Sequence, residues 1–268
     1  EIISTITSPE PLPKLESDGN VEFTSTYSKE EFCKMVEKTK EYIFDGDIFQ
    51  CVVSRRFEAD YKNSLINAYR VLRSTNPSFP IAGSRPRGKT DTEDNALADE
   101  LIHDEKELAE HNMLVDLGRN DIGKISEFNS VKVTKYQEVL RYSKIMHICS
   151  EVEGKLKDGL DAFDAIESLL PAGTLSGAPK IRACEIIEEL ERTPRGVYGG
   201  ALGYVDFNGN LDTCIAIRMA VKKNDKVYVQ AGAGIVADSV PKSEYEETYN
   251  KALAVMNAVK NAGEVNAL

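Results

Sequence analysis

Tryptophan is absent from all 268 positions, and histidine occurs only as His103, His111 and His147. A histidine-rich metal centre is therefore not expected. The five cysteines, Cys33, Cys51, Cys149, Cys184 and Cys214, are odd in number, far apart and never in a CxxC pair. That spacing argues against a disulfide framework or a zinc site. It fits a reducing cytoplasm in which the thiols act as small core residues. Basic residues are in deficit, 33 against 44 acidic, for a net charge of −11. Nucleic-acid binders carry a basic footprint, so no nucleic-acid partner is expected, and an acidic ligand is disfavoured on charge alone. No apolar run approaches the ~18 residues of a membrane span. No basic start followed by an apolar stretch marks a signal peptide. The chain opens on Glu1 rather than methionine, as a processed chain or a fragment would.

What is present is ordinary for a globular protein: 41% hydrophobic and 29% charged residues. The length allows one large domain or two small ones and a core that needs no staples. Residues 1–27 are rich in Pro, Ser and Glu and read as a lead-in or linker; 28–268 read as the folded domain. Ser28 and Glu31 make a capping box ahead of a helix that runs to Asp45-Gly46. IFQCVVSRRFEA (48–59) reads as a strand. Residues 64–74 read as a helix, 79–95 as a loop or edge, and 97–117 as one long helix. Strand patterns cover 130–135 and 144–154, and a helix near 161–170 ends at Pro171. Ser176 is placed to cap a helix reaching about Glu191, with Pro179 in its first turn. Beyond Gly196 three strands are expected, separated by Asn208-Gly209 and Asn224-Asp225, before a last helix over 243–262. Hairpins without strict βαβ alternation predict an α+β fold with mainly antiparallel sheets. No internal repeat is present.

Gly232-Ala233-Gly234 with Ala237 fits the dinucleotide fingerprint GxGxxG/A. That motif needs a helix to open directly on the glycines, and Asp238-Ser239-Val240-Pro241 intervenes. The glycines instead allow close backbone approach, and exposed N–H groups there suit a small anion such as a carboxylate. Glu107 and Glu110 lie i, i+3 on one expected helix, as do Glu244 and Glu247 on another. A solvated acidic face is the simpler account of either pair, but both adjoin apolar runs. Two such faces converging would suit a hard divalent ion, Mg²⁺. His147 sits in the alternating strand SKIMHICSEV, where a structural histidine is the commoner finding. Arg218 sits in CIAIRMAV. Period 2 puts it beside Ala216 and Ala220, as a carboxylate receptor or a plain surface position. No GxSxG, GxxxxGK[ST] or HExxH occurs, which removes the commonest hydrolase and phosphotransferase readings.

The strings GDIFQCVVSRRF (46–57), PIAGSRPRG (80–88), DEKELAEHNMLVDLGRNDIG (104–123), LLPAGTLSGAPKIRACEII (169–187), RGVYGGALGYVDFNGNLDTCIAIRMA (195–220) and QAGAGIVADSVPKSEYEET (230–248) carry a specific resemblance. Together they resemble the chorismate-utilising enzymes, and within them the large subunits of anthranilate synthases, over about residues 30–262. The resemblance implies two antiparallel sheets packed face to face with helices outside, and chorismate bound between them with Mg²⁺. Glu110 and Glu247 fall on the metal-ligand positions, with Glu107 and Glu244 behind them. Tyr198 and Arg218 fall on groups that hold the enolpyruvyl carboxylate. Thr174, Gly232, Ala233, Gly234 and Lys251 fall on substrate contacts, with Ala82, Gly83 and Ser84 in the PIAGS segment. His147 falls on the histidine of the elimination step, and Gln50 and Glu107 join it as catalytic positions.

The implied reaction has two steps. Ammonia, drawn from glutamine by an amidotransferase partner, attacks C2 of chorismate as the 4-hydroxyl leaves. Pyruvate is then eliminated and the ring aromatises to anthranilate. Isochorismate and salicylate synthases carry a lysine base where Gln50 stands, and aminodeoxychorismate synthases a lysine where Ala82 stands. Both positions favour anthranilate synthesis over those alternatives. Two departures stand out. The family's NPS is followed by two strands bearing a Ser-Pro-Glu turn, whose glutamate is the expected general acid; here Asn76-Pro77-Ser78 runs straight into Phe79. The N-terminal region that helps bind tryptophan as feedback inhibitor also has no counterpart, which leaves Asn76, Pro77 and Ser78 as a remnant of that site. The competing expectations are an ammonia-using synthase, an aminodeoxychorismate synthase, and a silent fragment that only binds ligand or the amidotransferase.

Overall fold

A computed structural model describes residues 21–75, 84–142 and 145–262. The elements run β1 (Thr24–Ser25), α1 (Lys29–Phe44), β2 (Gln50–Asp60), α2 (Ile66–Thr75), β3 (Ser84–Pro86), α3 (Asp91–His103) and α4 (Glu105–Ile125). They continue with β4 (Lys132–Arg141), β5 (Ile145–Glu153), α5 (Ala162–Leu169), a 3₁₀ turn (Gly173–Leu175), β6 (Gly177–Ala178) and α6 (Lys180–Leu190). The chain closes with β7 (Ala201–Val205), β8 (Leu211–Ile215), β9 (Ala220–Lys223), β10 (Lys226–Ile235) and α7 (Pro241–Lys260). The fold is α+β, and every described ladder is antiparallel.

One sheet has the order β1-β2-β10-β9, with β6 also on β2; a second is β3-β5-β4; β7 and β8 form a separate hairpin. The long pair β2–β10 is the centre. Alternation along it divides the side chains between two faces. Cys51, Val53 and Phe57 of β2, with Val229, Ala231 and Ala233 of β10, bury against Phe32, Met35 and Val36 of α1, Ile186 of α6, and Val255 and Met256 of α7. The opposite face carries Val52, packed with Leu175 and Tyr198.

The local signals act as their chemistry dictates. Ser28 Oγ accepts the Glu31 N–H at 3.2 Å, and Glu31 Oε2 accepts the Ser28 N–H at 2.9 Å, which fixes the start of α1. Asn224 and Asp225 both take positive φ, 51° and 57°, the left-handed pair that a two-residue hairpin needs between β9 and β10.

Four expectations need correction. Helix α3 begins at Asp91 within the stretch read as loop, because the Thr90 side chain caps it by accepting the Glu93 N–H. The single helix over 97–117 is two helices. Asp104 is extended (ψ 103°), and its carboxylate accepts the Glu107 N–H, restarting the chain as α4. Ser176 caps no helix: its hydroxyl donates back to the Ala172 carbonyl, and Pro179 directly precedes α6. The strand read through 211–223 breaks between β8 and β9. Arg218 stands in that break at φ 53°, so it is not on a strand face beside Ala216 and Ala220.

Candidate active site

The free margin of β10 organises the site. Strand β9 covers β10 only from Lys226 to Val229. Beyond that, Gly232 and Gly234 face Ser54 and Val52 of β2. Those two residues give their N–H groups elsewhere, Ser54 to Glu191 and Val52 to the Ser176 carbonyl. Gly232 and Gly234 are therefore in non-hydrogen-bonded pairs, and their own N–H and C=O groups point away from β2. Gly232 shows this directly: its carbonyl accepts Lys251 Nζ at 3.1 Å, and the Tyr198 hydroxyl stands beside it. The glycines of the dinucleotide motif thus lie within β10, which ladders with β2 as far as Ile235, and Ala237 falls beyond the strand rather than in a helix.

Side-chain space explains the glycines. A Cβ on Gly232 would lie 3.0 Å from the Val53 carbonyl and 3.1 Å from the Tyr198 hydroxyl; one on Gly234 would lie 2.6 Å from Gln50 Nε2. Ala233 between them points to the opposite face and is buried in the core with α1 and α6.

Around this margin several groups gather. Lys251 pairs with Glu247 one turn earlier on α7. Arg218 Nη1 donates to the Lys251 carbonyl at 2.9 Å, which holds the break between β8 and β9 against α7. Burial lowers the Arg218 pKa, while Tyr198 and Glu247 pull it back up; an arginine remains cationic through such shifts. Arg218, Glu247 and Lys251 line a groove with Ser243, Glu246 and Asn250. Tyr198 is pushed up to about 12, chiefly by burial, so it is a neutral donor at physiological pH.

Gln50, at the start of β2, donates to Glu110 Oε1 of α4 at 3.4 Å. Its own Oε1 is buried without a hydrogen-bond partner. The Glu110 carboxyl is held above its usual range, first by burial and then by the charge of Glu107; Glu247 adds to this and Lys251 offsets it. A half-buried acid with acidic neighbours and an unsatisfied amide oxygen nearby suit a hard cation bound through oxygen. The carboxylates are not gathered into a finished cage: among the described residues no group of three or more His, Cys, Asp or Glu stands close enough to hold a metal. Glu107 is drawn towards Arg85, 3.6 Å away, and Glu244 is buried in the first turn of α7.

Of the other expected residues, Thr174 sits on a turn packed against β2 and β10. Thr174, in the 3₁₀ turn, lines a cavity of about 300 Å³ with Gly200, Thr213, Leu114 and Leu117. His147 is fully buried on β5, opposite Ser84 of β3, with its ring 5.8 Å from that of Tyr142. Asn76, Pro77, Ser78, Ala82 and Gly83 lie outside the described residues.

Two supporting groups escaped the sequence reading. Glu191 accepts from Ser54 N–H and hydroxyl and pairs with Arg195 at 2.6 Å; Arg195 also donates to the carbonyls of Val52 and Leu175. This buried network stands behind Tyr198, whose ring lies 5.8 Å from the Arg195 guanidinium. Only the i, i+4 spacing of Glu191 and Arg195 hinted at it. Arg55 is buried on the helix-facing side of β2 and stacks at 3.7 Å on Tyr245. It donates to Thr248 Oγ1 and the Tyr245 carbonyl, both at 2.8 Å, so it ties α7 to the sheet.

The chorismate binding enzyme family matches residues 1–79 and 78–257. Anthranilate synthase component 1 of Acetivibrio thermocellus is 52% identical over 273 residues, covering 90% of this chain and 55% of its own length. That of Pseudomonas putida is 49% identical over 277 residues, covering 92% and 56%. The crystal structure of anthranilate synthase component I from Streptococcus pneumoniae superposes with a TM-score of 0.84 at 44% identity, covering 95% of this chain and 64% of that one. A menaquinone-specific isochorismate synthase from Escherichia coli shares the fold, with a TM-score of 0.81 at 21% identity. The chain spans about half the length of the curated relatives it matches.

Proposed function

The chain belongs to the chorismate-binding enzymes, and on that premise we propose that it binds chorismate at the β10 margin and serves anthranilate synthesis as component 1 does in its relatives. The observation that carries this reading is the convergence at Gly232 and Gly234 of two cationic side chains, a phenol and outward backbone N–H groups. Chorismate bears two carboxylates, and such donors are what anions require.

In this reading Arg218 and Tyr198 hold the enolpyruvyl carboxylate, and Lys251 and the Gly234 N–H receive substrate oxygens. Glu110 and Glu247, backed by Glu107 and Glu244, would hold Mg²⁺. When bound, that ion would neutralise the glutamates and withdraw electron density from the ring carboxylate. Gln50 cannot act as a base towards water, which favours ammonia as nucleophile over isochorismate chemistry. Ammonia adds at C2 as the 4-hydroxyl departs with a proton as water. His147 is assigned to the second step, loss of the C2 proton with release of pyruvate. Thr174 and, by resemblance, Ala82, Gly83 and Ser84 are assigned as further substrate contacts. In this reading an amidotransferase subunit would supply ammonia in the cytoplasm, and tryptophan would act as feedback inhibitor on the complete chain. Among the described residues no helix is long and apolar enough to cross a membrane.

The donor that protonates the departing hydroxyl falls, by resemblance, in the segment absent between Ser78 and Phe79. General acids contribute roughly 10²–10⁴-fold, so turnover by this chain alone should be slower than in relatives by about that factor. Anthranilate fluorescence with chorismate, Mg²⁺ and ammonia tests this. Slow anthranilate formation supports the reading, whereas 4-amino-4-deoxychorismate as product would overturn it.

A further inference from the structure

Glu191 and Arg195 meet in a closed fork. The Glu191 carboxylate accepts from Arg195 Nη2 and Nε at 2.6 and 2.9 Å, and the two side chains are only 5% and 17% exposed. Their other bonds go to fixed neighbours. Glu191 also takes the Ser54 N–H and hydroxyl, and the Ser54 hydroxyl accepts from Gln230 Nε2 at 2.8 Å. Arg195 gives Nη2 to the Val52 carbonyl at 2.7 Å and Nη1 to the Leu175 carbonyl. A largely buried ion pair adds little net stability, because desolvating two charges offsets their attraction. What this one supplies is geometry: a planar guanidinium fixes the direction of each acceptor bonded to it.

The acceptors belong to the elements that carry the substrate contacts assigned above. Leu175 follows Thr174 in the 3₁₀ turn, and Val52 is the β2 residue opposite Gly234. The Arg195 carbonyl accepts the Tyr198 N–H at 3.2 Å, closing a tight turn in which Gly196 takes φ 62°. That turn packs Tyr198 on Val52 and Leu175 and puts its hydroxyl beside Gly232. Gly199 then donates to the Ala216 carbonyl, and Ala216 to the Gly200 carbonyl, two residues before Arg218. One side chain thus registers the turn of Thr174, the strand opposite Gly234 and the loop of Tyr198 against each other. Its bonds go to Glu191 and to backbone carbonyls, so it reaches the margin through the groups it holds.

We propose that Arg195, oriented by Glu191, is a positioning residue for chorismate: it sets Thr174 and Tyr198 in register with the β10 margin before substrate arrives. The proposal rests on the chorismate reading of that margin. A lysine at this position keeps the charge and a bond to Glu191. As a point donor, it does not hold two carbonyls and a carboxylate in one plane. A displacement of about 1 Å at positioning groups can weaken a site by about a hundredfold, so a partial loss of register predicts about tenfold.

The test is a double-mutant cycle on the full chain. Chorismate affinity is measured by calorimetry with Mg²⁺ for Arg195→Lys, Tyr198→Phe and the pair, with denaturant melts of each. Arg195→Lys should weaken binding by about tenfold in the otherwise unaltered chain, and by about threefold or less where Tyr198→Phe is already present, because its action passes in part through that hydroxyl. A residue that only stabilises the fold would give the same factor in both backgrounds. Equal factors, or undiminished binding by Arg195→Lys, overturn the proposal. Should Arg195→Lys fail to fold, Glu191→Asp takes its place in the cycle, since it draws the guanidinium back by one methylene with both charges kept. A chain without substitutions that binds no chorismate overturns the underlying reading and this proposal with it, whereas binding with equal factors overturns the role of Arg195 alone.

Discussion

Arg55 and Glu247 show how differently two charged residues can be used. Arg55 is buried in an aromatic stack of Tyr245, Phe57 and Phe32, with two hydrogen bonds to α7 and Nη1 left unsatisfied. Desolvating the guanidinium offsets much of what the stack returns, so an apolar side chain of similar length should serve nearly as well. Arg55→Met is expected to change unfolding free energy by about 1 kcal/mol or less, and Arg55→Ala to cost about 3 kcal/mol through the cavity it leaves. Denaturant melts decide; equal losses for the two would make charge, and not volume, the main contribution. Glu247 is half-exposed and answers to Lys251. Glu247→Gln should leave stability nearly unchanged and weaken Mg²⁺-dependent binding by about tenfold or more. Unaltered Mg²⁺ affinity by calorimetry would remove Glu247 from the ligand set.

At the scale of elements, the β10 margin predicts unequal costs for two like substitutions. Gly232→Ala would press a methyl on the Val53 carbonyl and the Tyr198 hydroxyl, and should cost about 2 kcal/mol. Gly234→Ala meets the far end of the Gln50 side chain, which can turn aside, and should cost under about 1 kcal/mol while breaking the Gln50–Glu110 bond. The reverse order in thermal melts would contradict the site-facing assignment of both glycines. The start of α1 makes a pH prediction. The Ser28 N–H, then Arg192, lower the Glu31 carboxyl from 4.5 to about 2. A depressed acid stabilises the fold above its unfolded pKa, and that contribution is lost as pH falls from about 4.5 to about 2. Glu31→Gln should flatten the acid limb of the stability profile over that window. This helix start was legible in the sequence because the capping box is local, as was the turn at Asn224-Asp225. The break at Arg218 was not: CIAIRMAV has no breaker, and its positive φ accompanies a contact with Lys251, thirty-three residues away. The aromatic nest of Arg55 was hidden for the same reason, its partners being drawn from three separate elements.

For the molecule as a whole, α+β order and antiparallel pairing followed from hairpin signals and strand alternation, while the chemistry of the site came from the resemblance. Net charge misled, because −11 says nothing of a margin where Arg218 and Lys251 stand together. The relatives' segment between the positions aligned to Ser78 and Phe79 carries, by resemblance, the expected proton donor. Grafting the relative's segment there should raise anthranilate formation by about a hundredfold or more, the scale of a restored general acid. The central claim, that the β10 margin is a chorismate site, is tested most directly by calorimetric titration of the full chain with chorismate, with and without Mg²⁺. The account predicts saturable binding of one chorismate per chain that needs Mg²⁺ and is lost in Arg218→Met with the fold intact. Absence of binding by the folded chain, or binding that Arg218→Met leaves unchanged, would contradict it.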